Sequence, residues 1–431
     1  MKIRFTFVLA LLVSIGTNAQ LYFPPKFSPV WDTVNPASLG WCTDKLDTLA
    51  DFLQTHNTKG FIILKDGKIA YEKYFGTFTQ DSLWYWASAG KSLFGFLAGI
   101  AQQNGFFSLD DTVSEHLGTG WTSLAPTHEE KILVHHLLSM TSGLKDNVAN
   151  PNCQLPSCLQ YQADAGTRWA YHNAPYTLSH KVLENATGQT LQQFTNQRLL
   201  TKTGMFGVWF KDAQTNEIFG SRVRDMARFG LLIQNKGVWA GDTLLADTAY
   251  FNQMISSSQQ LNKSYGYLWW LNGKQSYMVP QSQLVIPGYL IPNAPADAWC
   301  ALGKNDQKLY MSQSTGLVVV RLGNDAGNPG LAPTIFDNLL WGEINKLFCS
   351  GIGSAELNLP LSAKLYAVAG AQKAILDATE KTECTIYDAQ GKTLFTETLP
   401  AGQHHIALPV GVHIGIIKSG GKTAAVKLVI F

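Results

Sequence analysis

Residues Ser92 to Ala101 read Ser-Leu-Phe-Gly-Phe-Leu-Ala-Gly-Ile-Ala, a helix-length run with apolar or small residues on nearly every side. A surface helix carries a polar face, so a helix of this composition must be wrapped by other elements in the middle of a domain. Immediately before it stand Ser88-Ala89-Gly90-Lys91. At the first turn of a helix, residues three apart share a face, which places a hydroxyl and an amine close enough to share a proton. That arrangement activates a serine without a histidine.

The spacing alone does not discriminate, because Ser-x-x-Lys recurs at Ser142 to Lys145 and at Ser419 to Lys422. Ser142-Gly143-Leu144-Lys145 follows a helical pattern and carries a glycine suited to a C-terminal cap. Ser419-Gly420-Gly421-Lys422 reads as a tight turn between two alternating apolar runs. Only Ser88 opens a buried helix whose first turn can line a cleft.

With 431 residues, the chain is long enough for two or three domains and a sizeable core. Its 33 basic and 31 acidic residues give a net charge of +2 and form no basic stripe, which argues against nucleic-acid partners. Residues 1–19 have the build of a secretory signal: Lys2 and Arg4, an apolar core from Phe5 to Ile15, and Thr17-Asn18-Ala19 as a small-residue cleavage site. A core of about eleven residues is too short to span a bilayer. No other apolar run reaches about 18 residues, so the mature protein is expected to have no transmembrane span.

Export permits disulfides among the six cysteines. Cys153 and Cys158 are the best local pair. Cys42 opens an early helix and Cys349 closes a late one, so they can pair if those helices pack side by side; Cys300 and Cys384 stay unassigned. Neither Cys-x-x-Cys nor His-Glu-x-x-His spacing occurs, and the expected chemistry uses no metal or cofactor.

Periodicity predicts a helix over Thr43 to Thr55, then a hairpin of Gly60 to Leu64 and Lys68 to Tyr74 turning at Asp66-Gly67. From Ser108 to about Gln260 the chain reads as mostly helical. Strands return at Tyr265 to Leu271, Asp297 to Leu302, Gln307 to Met311 and Leu317 to Leu322, before a helix over Thr334 to Phe348. Strands, helices, strands and a closing helix predict an α/β two-lobed domain over residues 20–352: a mixed, largely antiparallel sheet flanked by helices, plus an inserted all-helical lobe. Alternating segments then predict a small all-β sandwich over residues 353–431.

A free lysine, with a pKa of about 10.4, is protonated at neutral pH, so Lys91 needs burial or a nearby cation to act as a base. Tyr171-His172-Asn173 offers a second titrating group ahead of a helix. Ser88-x-x-Lys91, His136-Leu137-Leu138-Ser139-Met140-Thr141-Ser142-Gly143-Leu144 and Tyr171-x-Asn173, in this order, resemble the serine β-lactamase and penicillin-binding-protein superfamily over about residues 40 to 350. More narrowly, the chain is similar to the class C-like branch with its esterases, D-aminopeptidases and 6-aminohexanoate-oligomer hydrolases. The resemblance implies that Ser88 attacks a carbonyl, that Lys91 and Tyr171 serve as general base and acid, and that Asn173 hydrogen-bonds the substrate or Lys91.

That superfamily carries Lys-Thr-Gly or His-x-Gly on a strand beside the nucleophile, and this chain departs from it. Two alignments are open, Ala301-Leu302-Gly303 and Lys304-Asn305-Asp306. The first is preferred because Gly303 lets substrate approach the strand backbone. The backbone N–H groups of Ser88 and Lys304 would then form the oxyanion hole. Without a lysine inside the triplet, esters or small amides are expected ahead of penicillins. Trp86, Trp169 and Trp299 stand near these motifs as candidates for an apolar acyl pocket, or as core.

The last segment resembles the C-terminal sorting domain of type IX secretion. The matching residues are Thr385-Ile386-Tyr387-Asp388-Ala389-Gln390-Gly391-Lys392, Gly411-Val412-His413-Ile414 and Lys427-Leu428-Val429-Ile430, with His413 where that family usually has tyrosine. A generic adhesive or carbohydrate-binding sandwich is the alternative. The expectation is thus an exported serine hydrolase, secreted or on the cell surface. It would form an acyl-enzyme on a small ester or amide, peptidoglycan-derived ones included, with the type IX machinery as partner. Rival expectations are a D-Ala-D-Ala carboxypeptidase, a β-lactamase, and a catalytically silent penicillin-binding-like ligand sensor.

Overall fold

The computed structural model describes residues 21–212, 216–327, 335–349, 363–367, 372–388, 391–420 and 422–430. The expected leader and the expected boundary near residue 352 lie outside the described residues.

After a short 3-10 turn at Thr43–Lys45, helix α1 (Leu46–Thr55) buries Leu49 and Leu53. Strands β1 (Thr58–Lys65) and β2 (Lys68–Tyr74) pair antiparallel. Asp66 and Gly67 join them with φ of 50° and 86°, the paired left-handed geometry that matches strand twist in a two-residue hairpin. Strand β3 (Trp84–Tyr85) then leads into α2 (Gly90–Gln103), where every residue from Gly90 to Ala101 is buried. Two glycines one turn apart let neighbours reach its axis. A Cβ on Gly95 would stand 2.7 Å from Tyr267 O, and one on Gly99 would stand 2.3 Å from the Tyr250 ring. The Tyr250 hydroxyl donates to the Gly95 carbonyl at 2.6 Å.

The inserted lobe contains α3 (Asn173–Thr187), as the sequence predicts, but it is not all helix. Strands β4 (Gly207–Lys211) and β5 (Glu217–Ser221) join β3 in a three-stranded antiparallel sheet, order β3-β5-β4. Along β4 the alternation is plain, with Trp209 buried between exposed Val208 and Phe210. Helix α4 (Val223–Gln234) packs on the main sheet; a Cβ at its Gly230 would meet Val318 at 2.6 Å and Leu309 at 2.7 Å.

Strand β6 is only Trp270–Leu271, shorter than the predicted Tyr265 to Leu271, because Leu268 turns the backbone left-handed (φ 63°). Its N–H bonds the Leu138 carbonyl at 2.9 Å. Strands β7 (Trp299–Gly303), β8 (Gln307–Ser312) and β9 (Leu317–Gly323) follow, then α5 (Ile335–Asn345). The main sheet runs β2-β1-β9-β8-β7-β6. All of its ladders are antiparallel, so the N-terminal hairpin closes against the last strands of the domain. Helices α1 and α5 pack together, and Cys42 and Cys349 form a disulfide nearby, as side-by-side helices allow. Cys153 and Cys158 form the second disulfide, while Cys300 and Cys384 are free and buried.

The C-terminal strands are β10 (Ala363–Ala367), β11 (Lys373–Ala378), β12 (Thr382–Asp388), β13 (Thr393–Leu399), β14 (Gly402–Ala407), β15 (Gly411–Ser419) and β16 (Lys422–Ile430). They form two sheets, β10-β11-β14 and β13-β12-β15-β16. Leu365, Leu376, Ile386, Ile406 and Leu428 fill their common core, which makes the small sandwich that alternation predicted. Ser419 and Lys422 flank the β15–β16 turn, with Gly420 at φ 56°. At Ser142 to Lys145 the expected helix cap is not formed: the helix before it ends at Leu138, and Gly143 lies in a later loop at φ 76°.

Candidate active site

The Ser88 turn is hung on the lobe sheet. Trp86 N–H bonds the Phe219 carbonyl of β5 at 2.8 Å, and Trp86 Nε1 donates to Ser221 Oγ at 2.9 Å. Ala87 then takes a left-handed backbone (φ 48°), a strained conformation of the kind that persists where surroundings over-determine it. From that kink a 3-10 turn, Ala87–Ala89, runs straight into α2. Ser88 and Lys91 therefore project from consecutive turns, and Lys91 Nζ lies 3.1 Å from Ser88 Oγ.

Lys91 is 6% exposed. Burial pulls its pKa down to about 7, opposed by the negative charge of Asp212. Its Nζ sits 4.4 Å from the Tyr176 ring centroid and 5.2 Å from that of Tyr171. Desolvation outweighs the Asp212 charge, so a large fraction of the amine is unprotonated at neutral pH.

The motif segment His136 to Leu144 works as a cradle for Tyr171. Gly166 N–H bonds the Thr141 carbonyl at 2.8 Å and Ala170 N–H bonds that of Met140 at 2.9 Å. The Tyr171 ring stacks on Trp270 (centroids 5.8 Å) with the Tyr265 ring edge-on at 6.1 Å. Burial pushes the Tyr171 phenol well above its ordinary pKa, with a hydrogen bond to Ser88 acting the other way. Ser88, Lys91 and Tyr171 are thus brought together as the motif order anticipates. Asn173 opens α3; its Nδ2 donates to Asn152 Oδ1 at 2.9 Å, while its buried Oδ1 has no protein partner.

Gly303 ends β7 against the Ser88 turn. A Cβ there would stand 2.3 Å from Trp86 O and 3.1 Å from Ala89 N. Close approach of the nucleophile's own turn therefore requires the glycine, a reason different from room for substrate. Of the two alignments of the third motif, Ala301-Leu302-Gly303 lies on the strand, whereas Lys304–Asp306 forms the turn leaving it. Within that turn Lys304 is exposed, but Asp306 is buried and ion-paired with Lys308 at 3.2 Å.

Of the two readings open for the tryptophans, Trp86 and Trp169 take that of core. Trp86 is fully buried against Phe219 and Phe229, Trp169 is buried against Tyr265 and Trp270, and Trp299 packs on Phe251. Sequence reading passed over Tyr176 and Asp212, which bear on Lys91. Tyr176 lies one helical turn after Asn173 and is legible from that spacing; Asp212, the residue after β4, has no local signal. Among the described residues, no group of three or more His, Cys, Asp or Glu side chains could hold a metal ion, and no helix is long and apolar enough to cross a membrane.

Two lobes with a serine and a buried lysine at the start of the central helix, faced by a tyrosine from the inserted lobe, define a serine-hydrolase fold of the β-lactamase and penicillin-binding-protein superfamily. The profile of the Beta-lactamase family matches residues 47–340, and the chain belongs to that family. An uncharacterized protein of Alkalihalophilus pseudofirmus is 23% identical over 306 residues, 62% of this chain and 84% of its own length. Among solved structures, a Bacteroides dorei protein assigned as a β-lactamase superposes with TM-score 0.54 at 18% identity, over 71% of this chain and 98% of that one. A Bacillus anthracis protein assigned as a 6-aminohexanoate-dimer hydrolase gives 0.52 at 19%, over 70% and 79%. The octameric penicillin-binding protein homologue of Pyrococcus abyssi gives 0.53 at 16%, over 90% and 96%. At these identities the structural likenesses speak to fold alone.

Proposed function

We propose that this protein is an exported serine hydrolase of the class C-like branch that forms an acyl-enzyme on Ser88 and turns over a small ester or amide. The observation that carries the reading is the buried Lys91 amine 3.1 Å from Ser88 Oγ, with its pKa held at about 7. Neutral Lys91 takes the serine proton as Oγ adds to the substrate carbonyl carbon. The tetrahedral oxyanion is met by the backbone N–H groups of Ser88 and Lys304. Tyr171, kept un-ionised by burial, relays a proton to the departing alkoxide or amine while it is replenished from the Lys91 ammonium, and water then repeats the sequence in reverse to free the acid. Asn173, with its unpartnered Oδ1, is assigned to the acyl side of the substrate. Alanine rather than lysine at position 301 weighs toward esters and small amides over carboxylate-bearing β-lactams.

An active-site serine probe tests the reading: a fluorophosphonate should label wild-type protein and not Ser88→Ala. Turnover of p-nitrophenyl acetate should exceed that of nitrocefin and of a D-Ala-D-Ala peptide. No labelling would favour the silent-sensor alternative, and rapid nitrocefin hydrolysis beside negligible ester turnover would favour a β-lactamase. The C-terminal sandwich is proposed as the type IX sorting domain, which delivers the enzyme to the cell surface or medium. Deleting residues 355–431 should leave hydrolysis nearly intact and block delivery.

A further inference from the structure

The turn that follows Gly303 is held far more firmly than a surface connection needs. Asn305 and Asp306 both adopt left-handed backbone, φ 58° and 59°, a region that Asn and Asp enter singly but seldom in succession, so the pair depends on its surroundings to hold it there. Gln307 and Arg321, both fully buried, do so from beneath. Gln307 Nε2 donates to the carbonyls of Lys304 (3.3 Å), Asn305 (2.8 Å) and Gly323 (2.7 Å), and its Oε1 accepts from Gly323 N–H at 3.0 Å. Arg321 donates to the carbonyls of Asn305 (3.3 Å) and Asp306 (2.7 Å), and to Thr58 Oγ1 at 3.0 Å.

A further tie crosses between segments: Asn305 Nδ2 donates to the Tyr85 hydroxyl at 2.8 Å. Tyr85 ends β3, three residues before Ser88, so this bond joins the strand that delivers the nucleophile to the turn that opens at Lys304. Sheet pairing does not fix Lys304 itself, since the β7–β8 ladder ends at Gly303 opposite Gln307. The side-chain clamp takes over where the ladder stops.

We infer that Gln307, Asn305 and Tyr85 are positioning residues that fix the separation between the backbone N–H groups of Ser88 and Lys304, and so pre-organise the oxyanion site. The inference rests on the acyl-enzyme reading above. Such donors act only when held about 2.7–3.1 Å from where the oxyanion forms, so a displaced turn weakens the transition state while leaving ground-state binding nearly untouched.

The test uses the full chain, p-nitrophenyl acetate and an aryl boronic acid, which forms a tetrahedral adduct on serine. Tyr85→Phe removes only the hydroxyl that Asn305 reaches; Gln307→Glu sets a carboxylate against three carbonyl oxygens. Expected are kcat losses of about tenfold in the first and about a hundredfold in the second, KM within about twofold, and boronic-acid affinity falling by the same factors. The rising limb of the pH profile should keep its midpoint. Wild-type kcat in both variants, or a loss borne by KM with boronate affinity unchanged, overturns the inference while leaving the hydrolase reading standing. If Gln307→Glu does not fold, Tyr85→Phe decides alone. Failure of wild-type protein to acylate on Ser88 sinks the underlying reading, and this inference with it.

Discussion

Lys91 Nζ lies 3.1 Å from Ser88 Oγ, and burial holds the amine near neutrality instead of leaving it an ordinary surface ammonium. Only the unprotonated amine can take the serine proton. Activity of the free enzyme should therefore rise with pH through a midpoint near 7 and then level off, with kcat/KM falling about tenfold per pH unit on the acid side. A profile of p-nitrophenyl acetate hydrolysis checks this, and a flat response between about pH 5 and 9 would count against Lys91 as the base.

Asp212 is the negative charge that raises the Lys91 pKa against the pull of desolvation. Replacing it in Asp212→Asn should move the rising limb to lower pH, by less than about one pH unit, while leaving the plateau rate within a few-fold. The carboxylate also accepts bonds from Asn216 N–H and Nδ2 at 2.9 and 3.1 Å, which the asparagine keeps in part. A shift of the limb to higher pH would contradict the assigned sign.

Lys91 is also a stability liability with a defined pH dependence. In the unfolded chain it holds its proton up to about pH 10.4, whereas in the folded protein it releases it near 7. Between those values the unfolded state binds more protons, so this group's contribution to stability improves as pH rises from 7 to about 10.4, and its full penalty stands below 7. Lys91→Met should abolish turnover and raise stability at pH 6 by several kcal/mol, with the gain fading toward pH 10. Urea titrations of both proteins at pH 6 and pH 9.5 measure it; equal gains at both values would show that packing, not charge burial, is responsible.

What could be read from the sequence was what local chemistry dictates. Nothing but burial suits the composition of α2, the Asp66-Gly67 turn requires left-handed backbone, and alternation marks the C-terminal sandwich. Motif order brought out Ser88, Lys91 and Tyr171, and folding places them together. What stayed hidden depends on distant partners. Trp84–Tyr85 becomes a strand only because Gly220 and Ser221 pair with it, and Leu268 breaks a strand-like run because it bonds Leu138. Asn305-Asp306 reads as a turn pair, but what holds that turn does not, since its restraints come from Gln307, Arg321 and Tyr85 on three separate strands.

Gly303 separates two reasons for a glycine that the sequence alone cannot. If it only gave substrate access to the strand, Gly303→Ala would raise KM and leave stability alone. In the structure the added Cβ would instead stand 2.3 Å from Trp86 O and 3.1 Å from both Ala89 N and Gln307 Cβ. Trp86 cannot retreat freely, because its N–H bonds Phe219 O at 2.8 Å and its indole bonds Ser221 Oγ at 2.9 Å. The strain must pass into the Ser88 turn, already bent at Ala87, or into the clamped turn beyond Lys304. We expect kcat to fall by about a hundredfold or more and stability by about 1–3 kcal/mol, as for overpacking elsewhere in protein cores. Steady-state kinetics beside a denaturant titration decides the point. A variant with native stability and native kcat but a raised KM would return Gly303 to the role of substrate access.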